Sequence, residues 1–173
     1  MKNACKVFLL SCLLICGLLP LLARAQFVFD ENPLMKKQAP DFTLNLLSGQ
    51  SMSLSQSRGN DPAIIFFWAT WCPHCREELG TLAAETQQLV KNGIKIILVN
   101  VEENPRLVKA FIEENKLAYP VFLDQKSEIS QQYGIVGLPT LFFVDKNGVV
   151  VGMEHGLPDN VLEILSVNPP KKI

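Results

Sequence analysis

No segment limits the fold of this chain as much as the run Ala63-Ile64-Ile65-Phe66-Phe67-Trp68. It is continuously apolar, β-branched and aromatic, and the breakers Arg58-Gly59-Asn60-Asp61-Pro62 precede it. A strand of this composition is buried on both faces, as in the middle of a parallel sheet. From Cys72 onward the period becomes helical: Leu79, Leu82, Ala83, Thr86, Leu89 and Val90 share one face, and Asn92-Gly93 ends the helix. Ile94 to Val101 is a second buried strand. Strand, helix and strand at this length predict a βαβ unit with parallel strands and a right-handed crossover, hence an α/β chain.

The flanking segments complete the layout. After Ala39-Pro40, the alternation of Phe42–Leu46 and Met52–Leu54 about Ser48-Gly49-Gln50 predicts a small N-terminal β-hairpin. Asn104-Pro105 opens a helix as cap and first-turn proline, with Leu107, Val108, Phe111 and Ile112 facing inward. Tyr119–Leu123 is short and extended, and Ser127–Tyr133 is a short helix stopped by Gly134. Leu141–Val144, the turn Asp145–Gly148 and Val149–Val151 form an antiparallel hairpin. A final helix of about two turns, Asp159–Val167, follows Pro158. A βαβ half thus joins a ββα half, with a helix-containing insert between them.

The 173 residues are 48% hydrophobic and carry a net charge of −1, enough interior for one domain without structural disulfides. That composition excludes a disordered or collagen-like chain, and the charge balance gives no reason to expect a nucleic-acid partner. The five cysteines fall into two groups. Cys5, Cys12 and Cys16 lie in an opening segment with Lys2 and Lys6, an apolar stretch Val7–Leu22, and the exit Ala23-Arg24-Ala25. That order is a secretory signal peptide over residues 1–25, with cleavage after Ala25. A retained membrane anchor is the alternative, although a spanning helix usually needs about 20 residues. A lipoprotein signal fits less well, since Cys12 comes too early and Cys16 follows the bulky Ile15.

The organisation expected is signal peptide 1–25, linker 26–38, domain 39–168 and C-terminal tail 169–173, in an extracytoplasmic location. Removing Lys2, Lys6 and Arg24, and no acid, leaves 13 basic and 17 acidic residues, net −4. It also leaves just Cys72 and Cys75. A loop that short constrains little of the unfolded chain, so the pair points to chemistry and not to a scaffold.

The pair stands in Trp71-Cys72-Pro73-His74-Cys75, between the buried strand and a helix start. Thiolate is the nucleophile, and the positive end of a helix stabilises it. Cys72, in the first turn, is expected to be the exposed attacker. Cys75, one turn further in, is placed to resolve a mixed disulfide. Half of a zinc site is the other reading, but zinc wants four ligands and the mature chain adds only His74 and His155. No metal and no cofactor is expected.

FFWATWCPHCREEL and the later GLPTLFFVDKNG resemble the thioredoxin fold. APDFTL and the insert between residues 102 and 126 are similar to its extracytoplasmic TlpA/ResA-like branch, and the similarity spans residues 39–166. The resemblance implies a central mixed sheet flanked by helices, with the N-terminal hairpin and the insert. It also implies that Pro139 is the family's cis-proline, setting the Leu138 backbone beside Cys72, ready to pair with an extended substrate segment. Trp71 matches the tryptophan before the attacking cysteine and would shape the docking surface with Pro73 and His74. Glu103 matches a glutamate near the cysteines that would take or give the proton of Cys75. Two departures stand out. Phe66 occupies the place of the buried aspartate of cytoplasmic thioredoxins, and Gly80 stands near the place of a helix-kinking proline.

The activity implied is thiol–disulfide exchange on exported proteins, as a reductase in cytochrome c maturation. The partners implied are cysteine-containing exported proteins, with apocytochrome c the best-known client of the family, and a membrane electron donor; a membrane tether is compatible. Pro73-His74 is also the dipeptide of the oxidant DsbA, where the histidine favours the thiolate and raises the potential. DsbA-like proteins carry a large helical insertion for which this chain has no room, which favours the reductase. A peroxiredoxin-type peroxidase would need a proline and a threonine or serine where Ile65 and Ala69 stand. Metal-delivery modules of this fold space their cysteines by three residues, not two. His155, after the last strand, is read as a surface residue with no role.

Overall fold

The computed structural model describes residues 32–165. The expected signal peptide, its cleavage or retention, and the 169–173 tail lie outside the described residues. In chain order the elements are β1 (Thr43–Asn45), β2 (Ser51–Ser53), α1 (Leu54–Arg58), β3 (Ala63–Trp68), α2 (Pro73–Lys91) and β4 (Lys95–Val101). There follow α3 (Pro105–Glu114), β5 (Val121–Asp124), α4 (Glu128–Gln132), β6 (Thr140–Val144), β7 (Val150–Glu154) and α5 (Val161–Ile164).

The apolar run is β3, the centre of a five-stranded sheet ordered β5-β4-β3-β6-β7, and all six of its residues are buried. It pairs with β4 in parallel, as the βαβ reading requires, and with β6 in antiparallel. The sheet is therefore mixed, and β1 and β2 form the separate antiparallel hairpin. Side chains alternate across the sheet. Ile64, Phe66 and Trp68 face a layer holding Leu79, Leu82 and Leu89 of α2 and Val108 of α3. Ile65 and Phe67 face the opposite layer, where Phe42, Leu46, Leu54, Phe122 and Tyr133 gather. Each such side chain contributes about 1.5–3 kcal/mol on burial.

Several expectations need correction. Ala83, Val90 and Leu107 are exposed, Val90 and Leu107 by 60% and 62%. The buried stripe of α2 is the narrower series Cys75, Leu79, Leu82, Leu89, which leaves the neighbours of Leu82 and Leu89 in solvent. The last helix is a single turn, Val161–Ile164, and residues 166–167 of the expected span lie outside the description. Helix α1 was not anticipated. A capping box starts it, in which Ser53 Oγ accepts from Gln56 N–H and Gln56 Oε1 accepts from Ser53 N–H.

The domain also starts earlier than residue 39. Asn32 is buried and donates to Tyr133 O at 2.9 Å, Lys36 N–H donates to Val150 O, and Val150 N–H donates to Lys37 O. The described part of the expected linker is thus an extra edge of the domain. Its backbone groups satisfy the start of β7.

Two buried polar groups fix the layer over β5. Tyr133 donates its hydroxyl to Pro40 O at 2.7 Å, and burial, aided by the charge of Asp41, pushes the phenol far above its ordinary range. Asp124, at the end of β5, accepts from Ser130 N–H at 2.7 Å, Ser130 Oγ at 2.6 Å and Ile129 N–H at 3.3 Å. It caps α4 from a distance, because Ser127 at the helix start has φ +57° and makes no side-chain cap. Asp124→Ala is expected to lower stability by about 2–4 kcal/mol in urea unfolding, and a loss below about 0.5 kcal/mol would contradict this role.

Candidate active site

The chain leaves β3 at Trp68 and turns through Ala69-Thr70-Trp71 into α2, with Cys72 as the N-cap in extended backbone (φ −83°, ψ 112°). Cys72 Sγ accepts the N–H of Cys75 at 3.2 Å, the bond a serine or aspartate makes at other helix starts. Pro73 fills the first helical position, where a missing N–H costs nothing. Cys72 and Cys75 are joined in a disulfide with their Cα atoms 5.2 Å apart. When the bridge opens, the same N–H and the aligned dipoles of the 19-residue helix favour a thiolate on Cys72.

The expectation of an exposed Cys72 is corrected. In this bridged form Cys72 is 4% exposed and Cys75 is fully buried, because Cys72 Sγ turns inward to bond its partner. The open surface around the pair belongs to its neighbours: Trp71 is 67% exposed, and the His74 side chain 80%. His74 Nδ1 lies 3.2 Å from Glu77 Oε2, one turn along α2, and makes no hydrogen bond to either sulfur.

Strand β6 brings the second half of the site. Thr140 pairs with Phe67, so the residues just before β6 fall beside the end of β3 and the start of α2. The Leu138–Pro139 peptide bond is cis, and Leu138 O faces Cys72 Sγ at 3.6 Å. Thr140 Oγ1 donates to Gly137 O at 2.8 Å and braces the loop, on which Val136 is 97% exposed. His155, read above as a surface residue with no role, is exposed, yet its Nδ1 lies 2.8 Å from Pro139 O. The local sequence carried no signal for this. The contact comes from the β6–β7 register, which pairs Leu141 with Glu154.

Glu103 is buried at 9% exposure and accepts three hydrogen bonds. The donors are Thr70 N–H at 2.6 Å, Thr70 Oγ1 at 2.5 Å and Asn100 Nδ2 at 2.6 Å. Asn100 sits opposite Trp68 in the β3–β4 register, so the carboxylate ties β4 to the loop that carries the cysteines. Its bonds go to Thr70 and Asn100, not to sulfur. A plain solvated loop acid would make none of them.

Residues 35–153 match the family model described as the AhpC/TSA family. The chain belongs to that family. A thiol-disulfide oxidoreductase ResA of Bacillus thuringiensis subsp. konkukian is 30% identical over 151 residues, 87% of each chain. The crystal structure of the thioredoxin domain of a thiol-disulfide oxidoreductase from Bacteroides vulgatus matches 78% of this chain and 98% of its own, with a TM-score of 0.68 and 29% identity. StoA of Bacillus subtilis matches 78% of this chain and 98% of its own, with a TM-score of 0.60 and 26% identity. With a bridged Cys72–Cys75 pair at a helix start, this family member is a thiol–disulfide oxidoreductase of the ResA type with a thioredoxin-like fold.

The departures from thioredoxin have simple structural consequences. Phe66 is fully buried in the layer under α2 and can carry no proton. Helix α2 runs unbroken from Pro73 to Lys91, and Gly80 lies within it on an exposed face. Glu103 is thus the carboxylate tied into the cysteine loop. Glu103→Ala removes the acceptor of the Thr70 amide, and hydrogen exchange at that amide should accelerate at least about ten-fold. Unchanged exchange would contradict the tether.

Proposed function

We propose that this protein reduces disulfides in exported proteins, with Cys72 as the exchanging sulfur and Cys75 as the resolving one. The observation that carries the reading is the Cys72–Cys75 bridge at the start of α2, with the Leu138 carbonyl 3.6 Å from Cys72 Sγ. In the dithiol form, Cys72 thiolate attacks one sulfur of the partner's disulfide. That bond breaks, the other sulfur leaves as a thiolate and takes a proton, and a mixed disulfide joins the two proteins. Cys75 then gives up its proton, for which the buried Glu103 is the assigned acceptor, and attacks Cys72 Sγ. The second partner sulfur departs, and two electrons have passed from the pair to the partner. A membrane electron donor restores the dithiol.

The docking edge in this reading is Leu138 and Pro139, flanked by Trp71, Pro73 and His74. The opening segment 1–25 supports an extracytoplasmic site of action and with it cysteine-containing exported clients, and the likeness to a thiol-disulfide oxidoreductase supports exchange as the chemistry; apocytochrome c is the client proposed first. An oxidant of the DsbA kind is the second reading, favoured by Pro73-His74 alone. Against it, the described segment between β4 and β6 holds α3, strand β5 and the short α4 and no large helical insertion, and His74 turns to Glu77. Peroxide chemistry is disfavoured by Ile65 and Ala69, both fully buried apolar residues where a peroxidase needs polar or ring groups. Metal delivery is disfavoured by a cysteine spacing that closes a disulfide.

With dithiothreitol as electron source, Cys72→Ser should abolish insulin reduction, whereas Cys75→Ser should accumulate covalent complexes visible on a non-reducing gel. Activity retained by Cys72→Ser would refute the assignment of roles.

A further inference from the structure

We propose that His155 is a positioning residue of the exchange reaction, holding the edge on which a partner's cysteine-bearing segment docks; this rests on the docking reading given above. Three contacts carry it. His155 Nδ1 lies 2.8 Å from Pro139 O and 3.5 Å from Thr140 Oγ1, so the imidazole sits against the carbonyl that directly follows Leu138. A carbonyl oxygen can only accept, so Nδ1 must carry the proton of this bond. Two residues on, Leu157 N–H donates to Glu78 Oε2 at 2.9 Å. Glu78 lies three residues after Cys75 on α2, on the same helix as the sulfurs.

The segment His155-Gly156-Leu157 is therefore a strap between the two halves of the site. One end holds the cis-proline loop and the other holds the cysteine helix. A side chain at Gly156 would press on Glu78, with a Cβ 3.1 Å from Oε1, so the strap lies close against the helix. Leu138 O faces Cys72 Sγ at 3.6 Å, and the neighbouring Pro139 peptide is the plane that His155 grips. Because Pro139 has no N–H and its carbonyl is occupied, the Leu138 amide and carbonyl are the groups left for an extended partner. His155 fixes their direction without touching the sulfurs.

The prediction separates docking from chemistry. In insulin reduction by the full chain, His155→Ala should raise KM about five-fold, the order of one net hydrogen bond, with kcat kept within about two-fold. His155→Asn, whose side-chain amide can donate from close to the Nδ1 position, should bring KM back to within about two-fold of the parent. Nitrogen-15 spectra of the oxidised protein should place the proton of neutral His155 on Nδ1. A parental KM in His155→Ala, a fall confined to kcat, an asparagine variant no better than alanine, or a proton on Nε2 would each overturn the proposal. Failure of the parent protein to reduce insulin would count against the reductase reading instead, and the tautomer would still decide the His155 contact.

Discussion

The site depends on a cysteine sulfur doing the work of a helix cap. Cys72 Sγ accepts the Cys75 N–H at the first turn of α2, in a position that serine or aspartate usually fills. One contact sets three properties together. It starts the helix, it directs the peptide dipoles at the sulfur, and it holds the two cysteines at the separation a disulfide needs. An oxygen cap would serve the first purpose alone. The stability of the helix start and the reactivity of the thiol therefore share one hydrogen bond.

The sheet determines what meets that sulfur. Strand β3 is buried on both faces, so its C-terminal end delivers the cysteine loop from a rigid base. Its parallel neighbour β4 presents Asn100 opposite Trp68 and leads into Glu103, which grips Thr70. Its antiparallel neighbour β6 begins beside the same end, so the Leu138–Pro139 loop arrives opposite Cys72. Beyond it, β7 returns the chain to His155 and the strap over α2. Residues far apart in the chain converge because neighbouring strands end at the same edge of the sheet.

That geometry explains what could be read in advance. The apolar run Ala63–Trp68, the Asn104-Pro105 helix start and the Cys72–Cys75 pair are local patterns, and each appears where its spacing puts it. Pro139 was legible through family likeness, not through its own neighbours. Local patterns were weakest where helices meet solvent: Val90 and Leu107 are apolar on faces that the register leaves uncovered. The burial of Glu103 and the contact of His155 with Pro139 O depend on strand register across 33 and 16 residues of chain. The segment from Asn32 onward read as a linker because it shows no sustained period; backbone bonds to the start of β7 dock it, and side-chain patterns do not report those.

Exchange of electrons with a partner requires Cys72 and Cys75 to cycle between a bridge and two thiols. Equilibrating the protein in glutathione buffers, then trapping and counting free thiols by mass spectrometry, tests this directly. A single two-electron transition is predicted, confined to this pair and with a midpoint below about −150 mV, on the reducing side of DsbA. A pair that stays bridged or stays open across the whole range would contradict the exchange itself, and a midpoint above that value would contradict the reductase.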